Sequence, residues 1–223
     1  MRKSENSLKN FFLQDTVTLA KSLLGKLIVT KDEKNNIFAG YIVETEAYLG
    51  VEDMACHSYG GKRTPKVEAL YQEAGTIYIY TMHTHKMLNI VSCGKDNPQA
   101  VLIRAIEPLI NIKIMEENRG KTGILVTNGP GKLTKAMNIK DKFNMGKVKE
   151  IFHMEEIKGL KLQDKVIYID FEKSRIPKKI DISNRIGIPN KGIWTHKKLR
   201  FYVKGNRFVS GMKKRDFVDE SWI

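Results

Sequence analysis

The chain has 223 residues, 41% of them hydrophobic, enough to bury a sizeable core in one domain or at most two. Lys and Arg number 39 against 25 Asp and Glu, a formal net charge of +14, which fits an acidic partner, nucleic acid ahead of an anionic membrane, although charge alone also serves solubility. Two cysteines, Cys56 and Cys93, with no CxxC pair, exclude a disulfide framework and fit reduced thiols in a cytoplasmic protein.

The N-terminal stretch MRKSENSLKNFFLQ carries charges but no apolar h-region, so no secretory signal is expected. No stretch approaches the length of a membrane-spanning helix. Asp15 can cap a helix through TVTLAKSLLG, with Leu19, Leu23 and Leu24 on one side and Gly25 as its stop. KLIVT reads as a strand, Asn35-Asn36 as a hairpin turn, and FAGYIVETEAY as the returning strand. GGKR is a loop, and Thr64 with Pro65 suits the start of a helix running to about Glu73. GTIYIYT, MLNIVS and AVLIRAI are three more strands. Pro108 opens an amphipathic helix through LINIKIMEEN that stops near Gly120. NGPGKLTKAMNI is a glycine-rich turn entering a helix, and KVIYID and LRFYVKG are late strands. The segment Lys173 to Lys198, rich in Lys, Pro and Gly, is expected to be mostly loop. There is no internal repeat, low-complexity block or clear boundary. Residues 1–223 therefore read as a single mixed α+β domain around a curved antiparallel sheet.

Within YIVETEAY, strand alternation places Ile42, Glu44, Glu46 and Tyr48 on one face. Two readings fit: a strand with one wet face, or a carboxylate held on a rigid element beside an aromatic ring. Tyr78 and Tyr80 also share a face, either as core or as a platform on which bases stack. NGPGKLTKAM lacks the GxxxxGK[ST] spacing of nucleotide-hydrolysing loops. Such a turn can be a plain helix start, can hold a DNA phosphate on its backbone N–H groups, or can belong to a helix-hairpin-helix DNA-binding unit, whose glycine-rich hairpin it resembles. His83 and His85 with Cys56 and His57 match no common zinc spacing, so no metal is expected.

Seven stretches in order, VETEAYLG, HSYGGKRTP, GTIYIY, MLNIVS, VLIRAIEP, NGPGKL and LRFYVKG, together resemble the alkyladenine (3-methyladenine) DNA glycosylases of the mammalian alkyladenine type. The likeness runs from about Gly25 to Ser210. It displaces the helix-hairpin-helix reading, because that glycosylase superfamily is all-helical. It implies one domain with a curved antiparallel sheet, surrounding helices and a protruding β-hairpin that enters the DNA minor groove. It also implies excision of 3-methyladenine, 7-methylguanine and hypoxanthine from double-stranded DNA, with no metal or organic cofactor. The expected state is a cytoplasmic monomer, on the nucleoid when bound to DNA.

Carried over residue by residue, the resemblance makes Glu46 the general base and Arg104 its neighbour at a bound water. Tyr48, His57 and Tyr80 would wall the base pocket, and Asn89 would lie beneath the purine and disfavour a 2-amino group. Glu44 is expected to be structural. The chain departs from the family at YTMHTHKMLN, where a tyrosine normally fills the gap left by the flipped nucleotide. Met82 or His83 stands there instead. Lys62, Arg63, Lys132 and Arg200 are candidates for phosphate contacts. A non-catalytic DNA-binding descendant and an RNA-binding protein are the competing readings. The joint presence of Glu46, Tyr48, His57, Tyr80 and Asn89 argues against the first, and a comparison of damaged duplex DNA with RNA would test the second.

Overall fold

The computed structural model describes residues 2–151 and 166–223, with side chains from residue 7 onward. Its frame is a nine-stranded, curled mixed sheet: β1 (Leu27–Lys31), β2 (Ile37–Tyr48), β3 (Ile77–Met82), β4 (His85–Val91), β5 (Ala100–Ile110), β6 (Lys147–Ile151), β7 (Val166–Asp170), β8 (Ile180–Ser183) and β9 (Arg200–Val203). The order is β3-β4-β5-β2-β1-β7-β6, with β9 joining β2 to β8. Every pairing is antiparallel except β6 with β7. The first residue of the expected strand KVIYID, Lys165, lies outside the described residues. Helices α1 (Arg2–Phe12), α2 (Thr16–Ser22), α3 (Ile112–Arg119), α4 (Pro130–Ala136) and the short α5 (Ile193–His196) surround the sheet.

β2 is the spine. Its first half pairs with β1 and its second half, Glu44–Glu46, with β9, while β5 runs along its other edge. Register slips around Glu44 bend the strand as it changes partner. Phe38 to Ala47 are all buried, so β2 has no wet face, and Glu44 and Glu46 are both 0% exposed. Asp15 caps α2 by accepting from the Thr18 N–H, and Leu19 and Leu23 pack into the core.

Two expectations need correction. The helix from Thr64 to Glu73 is a turn followed by one 3-10 turn, Glu68–Tyr71. Val67, Ala69, Leu70 and Tyr71 are all buried, and an amphipathic α-helix would have turned part of that run to solvent. Pro108 lies inside β5, opposite Gly40 at a register slip, where a residue lacking N–H is tolerated. The helix begins four residues later, after Asn111 adopts a left-handed conformation and donates its side-chain amide to the Ile37 carbonyl. The segment Lys173–Lys198 is mostly loop, as expected, with β8 and α5 as its short regular elements.

The β3–β4 hairpin turns on His83 and Thr84, with φ of 47° and 69°, the signs a two-residue type I′ turn requires. A β-branched threonine there is strained. The hairpin is braced from behind by α4. A Cβ on Gly131 would lie 2.5 Å from the His85 Cβ, so glycine permits the contact, and the Thr134 hydroxyl donates to the Lys86 carbonyl at 2.8 Å. On the other side the Ile79 N–H donates to Asn144 Oδ1. The glycine-rich turn thus serves packing against the hairpin.

Candidate active site

β2, β3, β4 and β5 bring Tyr48, Tyr80, Asn89 and Arg104 to one cavity of about 160 Å³. His57, from the loop after β2, completes its wall. The His57 and Tyr80 rings meet edge-on at 4.5 Å between centroids. The Tyr78 hydroxyl shares a hydrogen bond of 2.8 Å with His57 Nδ1, so buried Tyr78 braces His57 while lining the cavity beside half-buried Tyr80. The Asn89 amide donates to the Tyr78 and Met87 carbonyls, which fixes its orientation at the cavity floor. Burial, then the charge of Glu46, pushes the Tyr80 hydroxyl up to about 12. Loss of solvation and the charge of Lys62 lower the basicity of His57, which favours a neutral ring.

Glu46 lies behind this cavity. Its Oε1 accepts from Arg104 at 3.1 Å and from the Ile186 N–H at 2.7 Å, and its Oε2 accepts from the Tyr48 hydroxyl at 3.0 Å. All three partners line the cavity. Oε2 meets one donor where Oε1 meets two, so it retains capacity for one more. Burial raises the Glu46 carboxyl above its ordinary range, against the pull of Arg104 and the Ile186 N–H and with help from the charge of Glu44.

Glu44 is enclosed instead. Its Oε1 accepts from Arg104 Nε, Arg200 Nε and the Ser210 hydroxyl, each at 2.7 Å, and its Oε2 from the Ser210 N–H at 2.7 Å. Burial alone would raise its carboxyl; Arg104, Arg200 and Ser210 outweigh that and hold it low. Two buried carboxylates thus face two guanidinium groups.

The candidates for phosphate contact part company. Lys62 lines a wider groove of about 880 Å³ outside the cavity, with Lys66 and Lys191. Lys132 bonds Asn128 at the start of α4. Arg63 is paired with Glu68 and Asp96 and stacks on Tyr71. Arg200 spends its donors on Glu44, Ser183 and the Ser210 carbonyl, so as placed its guanidinium is committed within the protein. Met82 is exposed and lines both cavity and groove, and His83 stands exposed at the hairpin tip. Among the described residues, no three His, Cys, Asp or Glu side chains are grouped to hold a metal ion, and no helix is long and apolar enough to cross a membrane.

Sequence reasoning missed Ser210, Asp53, and the segment Arg185 to Ile188. Ile186-Gly187-Ile188, directly after Arg185, is a short apolar run inside a Lys- and Pro-rich stretch, and that contrast was its signal.

The methylpurine-DNA glycosylase family model matches residues 10–207. The chain belongs to this family. It is a DNA glycosylase, a hydrolase of N-glycosyl bonds, acting on DNA with damaged bases. A relative in Staphylococcus saprophyticus subsp. saprophyticus, named "Putative 3-methyladenine DNA glycosylase", is 52% identical over 207 residues, covering 93% of this chain and 95% of the relative. A protein of the same name in Staphylococcus aureus strain MRSA252 is 49% identical over 215 residues, 96% of this chain and 99% of the relative.

Proposed function

We propose that this glycosylase excises 3-methyladenine, 7-methylguanine and hypoxanthine from duplex DNA, using Glu46 as the general base toward water. The reading is carried by one arrangement: an aromatic cavity of Tyr48, His57 and Tyr80 in front of a buried carboxylate whose three donors all line that cavity. A base inside the stack cannot be reached, so it is flipped out at a cost of about a few kcal/mol, less when it is damaged. N-alkylated purines are often cationic, and electron-rich rings attract cations. A carboxylate raised toward neutral pH is better matched to accept a proton from water, while Arg104 holds it in place and counters full neutralisation.

Water, not an amine, is the nucleophile, so the product is an intact strand with an abasic site; a lysine nucleophile would pass through a Schiff base. Met82 or His83, at the hairpin tip, fills the gap left by the flipped nucleotide: Met82 as the apolar wedge that other minor-groove binders use, His83 by its register with the family's tyrosine. The direct test is incubation with duplexes bearing each damaged base, with the same damage in RNA as comparison and borohydride present in parallel. Released purine from duplex DNA with no covalent adduct supports the reading. A strong trapped band, or release from RNA alone, overturns it.

A further inference from the structure

We infer that Arg185 is a positioning residue that moors the segment Asn184–Gly192 and so delivers the Ile186 N–H to Glu46. The side chain of Arg185 is wholly buried. Its Nη1 donates to Asp53 Oδ2 at 2.5 Å and to the Ala47 carbonyl at 3.0 Å. Its Nη2 donates to Asp53 Oδ1 at 2.9 Å and to the Trp194 carbonyl at 3.4 Å. Asp53 is itself fixed by the N–H groups of Leu49 and Ala55. One guanidinium therefore ties the end of β2, the loop after it, and the start of α5 together. A planar five-donor fork can do this, and an ammonium cannot.

The same guanidinium lies 4.7 Å from the centroid of the Tyr48 ring. Tyr48 lines the cavity and Arg185 does not, so the cation backs the ring on its far side. The next residue along the chain, Ile186, donates to Glu46, and Ile186, Gly187 and Ile188 form part of the cavity wall. Gly187 has φ of 75°, and a Cβ there would meet nothing within 4 Å, so this wall stands out from the body of the protein. Arg185 and the Glu46 carboxylate tie it down near the cavity. Arg185 sets the Tyr48 ring, the Ile186 donor and the cavity wall at once, without touching the base.

The role in catalysis rests on the glycosylase reading; the mooring does not, so two measurements separate them. In Arg185→Lys, hydrogen exchange of peptides spanning 184–192 should quicken while β2 and β5 keep their protection. Single-turnover excision should fall by about 10²-fold, the scale of an ångström-sized misplacement. The acidic limb of its pH profile should move to higher pH, because Glu46 loses a donor to its charged form. A merely structural role would lower thermal stability and leave the limb in place. Gly187→Ala, which strains the wall and leaves every side-chain contact intact, should change exchange and pH limb in the same direction and serves if Arg185→Lys does not fold. Unchanged exchange in both variants overturns the mooring. Faster exchange with an unmoved pH limb overturns the delivery to Glu46. Absence of excision by the unaltered protein would overturn the glycosylase reading, with the exchange result still deciding the mooring.

Discussion

Glu44 and Glu46 stand two residues apart on β2, are equally buried, and share Arg104, yet their chemistry diverges. Glu44 faces two guanidinium groups and both the N–H and hydroxyl of Ser210, and is held ionised. Glu46 faces one guanidinium, one backbone N–H and one phenol beside a cavity, and its affinity for a proton is raised. Burial penalises both charges; the donors that meet each oxygen decide the outcome. Fuller pairing makes the first carboxylate part of the frame, and sparser pairing beside a cavity leaves the second suited to the role of base proposed for it.

The largest test of this contrast is Glu46→Gln. Excision should fall by about 10²–10⁴-fold in single-turnover assays while damaged DNA is still bound. A residual rate within a few fold of the unaltered protein would move the catalytic role to Glu44. The folded-state pKa of Glu46 lies above the unfolded value, so its ionisation works against the fold as pH rises through that window. The melting temperature of Glu46→Gln at neutral pH should accordingly hold or rise.

Glu44→Gln should do the opposite to stability. The folded-state pKa of Glu44 lies below the unfolded value, so its contribution is present above the ordinary carboxylate range and is lost as pH falls toward the folded value. Removing its charge leaves partly buried Arg200 with no carboxylate and buried Arg104 with Glu46 alone, at a cost of about 3–5 kcal/mol by denaturant unfolding. Equal melting temperatures for the two variants would break the comparison.

The pH profile sharpens it. Excision should lose activity on the acid side above the usual carboxylate range, because Glu46 must be ionised to act. At low temperature, where Glu44→Gln stays folded, that limb should move to lower pH, since the charge of Glu44 helps raise Glu46. A limb that moves upward would show that Glu44 acts chiefly by orienting Arg104.

The smallest expected effect concerns the cations. Lys62 faces the outer groove and Arg200 faces Glu44. Lys62→Ala should lower the log–log salt slope of DNA binding by about 0.9, and Arg200→Lys should leave it unchanged. Matching slopes would erase the distinction drawn between them.

What could be read in the sequence was what neighbours in the chain encode. Alternation along YIVETEAY placed both carboxylates and Tyr48, and Asp15 announced the start of α2, because these effects act over a few residues. The donors that distinguish Glu44 from Glu46 come from Ser210 and Ile186, 166 and 140 residues away, and no local pattern carries that information. Arg200 looked like a surface cation by position, but its strand joins β2 beside Glu44 and turns it inward. Pro108 misled for a related reason: its helix-starting preference yields where a register slip in the sheet has no use for its N–H.

The close fit of Gly131 against His85, with Asn144 holding the opposite side of the hairpin, bears on how lesions are found. On the proposed reading, in which this hairpin meets the duplex, a hairpin held front and back leaves the bending and unstacking to the double helix. Sites where pairing is already weakened then give way more readily than intact ones. Stiffness in the protein would then serve as a gauge of softness in DNA, sorting base pairs before any purine enters the cavity.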